Sequence, residues 1–289
     1  MDPYYEARLF PTPLLELNYL KKYKEGIIQI PINEKGEEKI PCYFEKNKES
    51  KDILIIFHGN GSDIFNLCYY AKEISEKNNI NILIPEYPGY SIYITNHSEE
   101  KCLENSLIIY DFILNNIKNI SEKNIYILGR SLGSAVASFL ASKRNPAGIF
   151  LISPFTSFAS VGLNDKEDKQ ILSKYFRIID YINKIKSPIL FIHGKSDPLV
   201  NYKESITLFE KCNKDIIKEI VLIEDMAHNF SFYFVRDKII PCINNFAKKN
   251  CLWKSEIENE KDLNIIDFDK KFYINEEEIN NIIKYFESY

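Results

Sequence analysis

The sequence is short of several things, and each shortage narrows the field. Its six cysteines (Cys42, Cys68, Cys102, Cys212, Cys242 and Cys251) are scattered with no CxxC pair. That argues against a disulfide scaffold or a zinc site and suits a reducing compartment. Long apolar runs are missing too: the strongest, such as Ile53–Phe57, are about five residues, against the roughly 20 that cross a bilayer. A basic surplus is absent, since the net charge is −4, and this argues against a dedicated nucleic-acid binder. The opening MDPYYEARLFPTP shows no basic-then-apolar leader, no glycine follows Met1, and no prenylation box precedes Tyr289, so the expected address is the cytoplasm. Repeats and low-complexity linkers do not occur. What remains is an ordinary globular composition, 45% hydrophobic and 27% charged over 289 residues. A chain of this length buries about three-quarters of its unfolded surface and needs no metal or disulfide to hold a core.

Charge is unevenly spread. Between Lys254 and Tyr289 there are ten acids against five lysines, which leaves the rest of the chain near neutrality. Charge blocks of this kind mark appendages more often than cores. The expected organisation is therefore one main domain over 1–253 and an acidic C-terminal extension over 254–289, with one late helix from Asn275 to Glu287. The abundance of Asn, Lys and Ile reads as nucleotide bias and carries little functional weight.

Up to about residue 250, short β-branched runs alternate with longer amphipathic stretches. Strands are expected at Ile27–Ile32, Pro41–Glu45, Ile53–Phe57, Asn81–Ile84, Ile125–Leu128, Ile149–Ile152, Ile189–His193 and Ile217–Ile223. The first two read as a hairpin turning at Gly36. From the third onward the runs are continuously apolar, as in strands covered on both faces of a parallel sheet. Helices are expected near Ile64–Lys77, Glu99–Asn119, Leu132–Arg144, Tyr202–Lys211 and Phe230–Lys248. This alternation implies an open α/β sheet of about eight mostly parallel strands, helices on both faces, and ligands at the carboxyl ends of the strands.

Glycine is the informative scarcity. Of only ten glycines, six (Gly59, Gly61, Gly89, Gly129, Gly133 and Gly194) lie at or just after expected strand ends. Tight strand-to-helix turns favour glycine anyway, which accounts for some of the six but not for their neighbours. Gly129-Arg130-Ser131-Leu132-Gly133 places G-x-S-x-G between a strand and a helix, the nucleophile elbow, where a strained turn exposes the serine hydroxyl. The helix start behind Ser131 also supplies amide donors.

A serine nucleophile needs a base, and the base an orienting acid. Four histidines are available. His228, in VLIEDMAHNF after the last strand, is the expected base. His193 ends its strand as a packing or hydrogen-bonding residue, His97 precedes a helix cap and is expected to be solvated, and His58 shapes its loop. Asp197, in FIHGKSDPLV, is the expected acid, and the order Ser131, Asp197, His228 is the one this fold uses. Asp225 is the rival acid, but three residues before His228 it is too local to orient the ring from the neighbouring loop. An oxyanion hole is expected from the backbone N–H groups of Asn60, in FHGNGSD, and Leu132.

These blocks resemble the alpha/beta-hydrolase superfamily, and within it the branch holding depalmitoylating acyl-protein thioesterases and related lipid-type serine hydrolases. HGNGSD, PEYPGYS followed by SEE, GRSLGS, ISPFTSF, KIKSPILFIHGKSDPLV and the segment around MAHNF follow one another in order over roughly residues 9–245. The resemblance implies hydrolysis of acyl esters or thioesters without cofactor or metal. It departs from the family at Glu86, usually Asp, at Ser91, usually Gly, and at Asp225-Met226-Ala227, a turn that is often Gly-rich. The depalmitoylases also carry an N-terminal cysteine cluster, whereas here no cysteine precedes Cys42. Transient contact with a membrane surface is compatible with this reading, while a stable anchor or a span is not expected.

About thirty-five residues separate the sixth and seventh strands, room for a polar loop and a helix or two, so a small lid at most. Tyr87, Tyr90, Phe155 and Phe158 are candidates to line an apolar acyl groove, against the commoner role of aromatics as core. The expected function is serine-type cleavage of acyl esters or thioesters. Two alternatives stand beside it: a peptidase of the same fold, similar to proline iminopeptidases, and a non-catalytic binding protein on this scaffold. An acidic clamp for a substrate amine would favour the first and a lost triad member the second; neither is visible. The sequence is silent on oligomeric state.

Overall fold

The computed structural model describes residues 3–33, 35–162, 165–250, 252 and 266–288. Cys251, Trp253, Ile265 and most of the first half of the acidic segment lie outside the described residues. In chain order the elements are α1 (Pro3–Leu9), α2 (Leu17–Tyr23), β1 (Ile27–Pro31), β2 (Lys39–Glu45), β3 (Ile53–Phe57), α3 (Ile64–Asn78), β4 (Asn81–Pro85), α4 (Glu99–Asn116), β5 (Ile125–Arg130), α5 (Leu132–Lys143), β6 (Gly148–Ile152), α6 (Lys166–Leu172), β7 (Ile189–Gly194), α7 (Lys203–Lys211), β8 (Lys218–Ile223), α8 (Phe232–Phe234), α9 (Ile240–Lys249) and α10 (Glu276–Glu287). The strands form the eight-stranded, mixed, mostly parallel sheet expected of the alternation.

Two compact units divide the chain. One gathers Met1–Ile53, Asn60–Ile120 and Asn259–Tyr289; the other gathers Leu54–Gly59 and Ser121–Glu258.

The first unit is antiparallel. Strand β1 pairs with β2, Ile28 facing Cys42, and β2 pairs with β4, Cys42 facing Pro85. The expected hairpin turn is present, and Gly36 adopts φ 66°, a conformation that favours glycine. The two long helices start where their side chains cap them. Asp63 accepts the amide of Asn66 at the head of α3, and Ser98 accepts that of Lys101 at the head of α4, with Glu99 and Glu100 favourably placed in its first turn.

The described part of the acidic extension belongs to this unit. Phe268 meets the rings of Phe44 and Phe112 at 4.9 and 6.2 Å, and Phe272 meets Phe112 at 4.9 Å. The amide of Ile274 donates to the carbonyl of Ile27, and Tyr273 bridges to Ile28, so the segment shields β1, whose unpaired edge would otherwise invite association. Three of its acids pair with lysines of the same unit: Asp267 with Lys46, Glu276 with Lys24, and Glu278 with Lys39. Such half-exposed pairs contribute about 0–1 kcal/mol each, so the buried rings dominate the docking.

The second unit is parallel throughout. Strands β5 to β8 run side by side, Leu128 facing Phe150 and Phe191 facing both Leu151 and Ile220. β6 and β7 are buried along their whole length, as their uninterrupted apolar runs predict, whereas β8 at the sheet edge is half-exposed throughout. The region between β6 and β7 carries α6 and short 3₁₀ turns, a small cap. The single helix expected over Phe230–Lys248 is instead broken into α8, a π-turn at Val235–Ile239, and α9. Pro241, in the first turn of α9, supplies the reason: it has no N–H to give, and its ring clashes with the carbonyl four residues back, so the preceding turn widens.

Candidate active site

The second unit brings Ser131, Asp197 and His228 together. Ser131 lies between β5 and α5 with φ 50° and ψ −117°, a strained conformation for a residue with a side chain. Two bonds hold it there: its amide donates to the carbonyl of Ile152, and its carbonyl accepts the amide of Ser134. The flanking glycines answer a need for space. A Cβ on Gly129 would lie 2.4 Å from the carbonyl oxygen of Gly133, and one on Gly133 would lie 2.1 Å from that of Phe57. The elbow motif therefore records close backbone approach, which lets α5 start against the end of β3.

Asp197 follows β7 and is held by the backbone ahead of it. Its Oδ1 accepts the amides of Leu199 and Val200 at 2.9 and 2.8 Å; Pro198, which directly follows Asp197, has no amide N–H to offer. Its Oδ2 accepts Nδ1–H of His228 at 2.7 Å. Nε2 of His228 in turn accepts the Ser131 hydroxyl at 3.1 Å. Because the carboxylate can only accept, the proton of the neutral ring resides on Nδ1, leaving Nε2 free to take one from serine. Ser131 and His228 are 5% and 6% exposed, so the chain of bonds is largely shielded from solvent.

Burial alone would raise the pKa of Asp197. Hydrogen bonds from His193 and His228, with the Val200 amide, outweigh that and hold its carboxyl well below the usual carboxylate range. His193 is thus more than packing. It is fully buried, its Nε2 lies 3.0 Å from the Val200 carbonyl and 3.4 Å from Asp197 Oδ2, and its Nδ1 accepts from Ser205 Oγ at 2.6 Å. The carbonyl requires Nε2 to carry the proton, so His193 is a second donor facing the acid from behind. Asp225, the rival acid, is exposed.

His58 is buried with Nδ1 3.0 Å from the Gly59 carbonyl, a loop-shaping role. His97 is a correction: it is half-buried rather than solvated. Its ring stacks on Phe10 at 5.3 Å and Nε2 lies 2.8 Å from Thr12 Oγ1; burial lowers its pKa, which Glu6 partly offsets. Leu132 is the first residue of α5, where the helix itself provides no acceptor for the N–H. The side chain of Asn60 is clamped within the first unit, its Oδ1 accepting the Tyr90 hydroxyl at 2.7 Å and its Nδ2 donating to the Arg8 carbonyl at 3.3 Å.

The four groove candidates are all buried. Tyr87 and Tyr90 stack edge-on at 5.7 Å, as do Phe155 and Phe158 at 6.1 Å, and none is more than 4% exposed. The hydroxyl of Tyr90 donates to Asn60. No group of three or more His, Cys, Asp or Glu residues is arranged to hold a metal ion among the described residues. No described helix is long and apolar enough to cross a membrane. One residue at the site escaped the sequence reading: Arg130, the variable position of the elbow, whose guanidinium reaches the histidine loop. The signal was its charge inside an otherwise uncharged motif.

A mostly parallel sheet with a serine elbow after β5 and an acid and a histidine after β7 and β8 defines an alpha/beta hydrolase. Solved structures agree on the fold: the Pyrococcus furiosus esterase Pf2001 covers 83% of this chain and 98% of its own at a TM-score of 0.64 and 17% identity. Est1E from Butyrivibrio proteoclasticus covers 78% and 99% at a TM-score of 0.63, also at 17% identity. The serine hydrolase (FSH1) family matches residues 75–230, more than half of the chain, and the protein belongs to that family. Among its relatives are a putative alpha/beta hydrolase, L404, of Acanthamoeba polyphaga mimivirus, 30% identical over 64% of this chain and 70% of its own. The human alpha/beta hydrolase domain-containing protein 17B is 28% identical over 73% and 72%.

Proposed function

We propose that this serine hydrolase cleaves acyl esters or thioesters through a Ser131–His228–Asp197 triad. The observation that carries the proposal is the continuous chain of bonds from Ser131 Oγ to His228 to Asp197, at 3.1 and 2.7 Å. Nε2 of His228 takes the serine proton as Oγ attacks the acyl carbonyl. Asp197, kept ionised by its donors, stabilises the imidazolium that forms. The N–H of Leu132, at the head of α5, receives the oxyanion. His228 then protonates the leaving group, and water, activated by the same base, releases the acyl chain.

The resemblance to the depalmitoylating branch supports an ester or thioester over an amide. The small cap points the same way. Amide cleavage demands well-placed protonation of a poor leaving group and remote binding energy to position the peptide. Each acyl methylene that binding buries contributes about 0.8 kcal/mol, so medium and long chains are preferred over acetyl. The cytoplasm as compartment rests on the scattered free cysteines, four of them buried.

The test is a fluorophosphonate probe together with a substrate panel. The probe labels wild type and not Ser131→Ala. Turnover rises from two-carbon toward eight-carbon esters and thioesters, with aminoacyl amides at least roughly 100-fold worse in kcat/KM. Efficient release of an N-terminal residue, with every ester slow, would establish the peptidase instead.

A further inference from the structure

The histidine loop between β8 and α8 lies outside regular secondary structure, yet it must hold an imidazole within a few tenths of an ångström. Part of its support is internal: Met226 is fully buried and its carbonyl abuts Gly194, where a Cβ would come within 1.8 Å. The remainder comes from the elbow. Arg130 immediately precedes Ser131, and its Nη2 donates to the carbonyl of His228 at 2.8 Å and to Oδ1 of Asn229 at 3.2 Å. The guanidinium carbon also sits 4.9 Å from the centroid of the Phe230 ring. Three consecutive residues of the loop, the base included, are thus gripped by the neighbour of the nucleophile.

We infer that Arg130 is a positioning residue that couples the nucleophile elbow to the histidine loop and fixes the His228–Ser131 geometry. The chemistry suits arginine. A planar guanidinium stacks on an aromatic face while its edge donates in plane, whereas a lysine ammonium is a single flexible point charge. The space is shaped for it as well, since a Cβ on Gly59 would lie 2.9 Å from Arg130 Nη1. Its charge-assisted bond to the loop carbonyl leaves the imidazole nitrogens to Asp197 and Ser131. Arg130 therefore acts through His228 and needs no contact with substrate.

The inference rests on the Ser131–His228–Asp197 reading, and the experiment separates the two. Arg130→Ala, Arg130→Lys, Phe230→Ala and the Arg130→Ala/Phe230→Ala pair are compared with wild type in ester kinetics and in fluorophosphonate labelling rate. Their folds are checked by circular dichroism and thermal unfolding. Misplacing a catalytic group by about 1 Å costs on the order of 100-fold, so Arg130→Ala is expected to lower kcat and labelling rate by roughly that factor with KM changed less than about twofold. Arg130→Lys recovers little of the loss. The double variant is no worse than Arg130→Ala alone, because both substitutions break one support. A rise in KM with kcat unchanged, full recovery by lysine, or fully additive losses would each overturn the positioning role while leaving the triad intact. Absence of labelling in wild type would overturn the triad and this inference together.

Discussion

The two units place their demands on the sequence in opposite ways. In the parallel unit, the proposed chemistry rests on a few atoms: three side chains joined by two bonds, a strained serine, and glycines with backbone at 2.4 Å and 2.1 Å from where a Cβ would stand. In the antiparallel unit, the tail is held by ring contacts and ion pairs spread over residues 267–278, with the buried rings dominant and no single atom decisive. The contrast teaches where damage should appear. Changes in the first region should cost activity above all, and changes in the second should cost stability with little loss of activity per folded molecule.

The sharpest way to break this contrast is at the triad acid. Asp197→Asn leaves two backbone acceptor bonds possible but removes the charge that fixes the His228 tautomer. Turnover should fall by up to roughly 10⁴-fold, while Asp225→Asn, at an exposed position, stays within about twofold. Steady-state kinetics on the two variants decides it, and the reverse ranking would make Asp225 the acid. The same carboxylate gives a stability signature with a definite sign. Its folded pKa is depressed, so its contribution is complete above the unfolded value of about 4 and is lost as pH falls toward the folded one. The Tm difference between wild type and Asp197→Asn should therefore shrink between about pH 5 and pH 2, and a growing difference would contradict the depressed pKa.

The tail supplies the converse test. Phe268 is 5% exposed and touches two rings, so Phe268→Ala should cost about 3 kcal/mol, the usual price of emptying a buried phenylalanine site. Ester turnover normalised to folded protein should stay within about twofold. An equal stability with lost turnover would show that the tail serves the site rather than the fold.

What the sequence disclosed follows the same division. The parallel strands were legible because burial on both faces forces continuous apolar runs, and the elbow because close backbone approach imposes glycine, serine and glycine at fixed spacing. The reach of Arg130 was not, since a variable position in a motif says nothing about its partner 98 residues on. Nor was the stacking of His97 on Phe10, a pairing between distant segments that local pattern does not encode. The tail read as an appendage on its net charge; the partners of Phe268 and Phe272, Phe44 and Phe112, were not legible because they lie far away in the chain. Helices α1 and α2 went unread because Pro3, Pro11 and Pro13 make the N-terminal stretch look like loop.

The smallest expected effect sharpens the comparison within the antiparallel unit, at a position where local strain serves no chemistry in the proposed mechanism. Ser91 stands where the resembling family usually has glycine, and it adopts φ 45°. The left-handed region costs a residue with a Cβ about 1–2 kcal/mol. Its hydroxyl is buried and meets no hydrogen-bond partner among the described residues, which adds to the cost. Ser91→Gly relieves both, while the greater freedom of glycine in the unfolded chain takes back about 0.4–1 kcal/mol. A net gain of about 0.5–1 kcal/mol should raise Tm by roughly 2 °C with ester kinetics unaltered, unlike the strain at Ser131, where removal of the side chain ends the reaction. Calorimetry on Ser91→Gly reads this directly. A lower Tm would mean that the hydroxyl is engaged in the folded state, and a change in kcat would mean that the loop's strain reaches the active site.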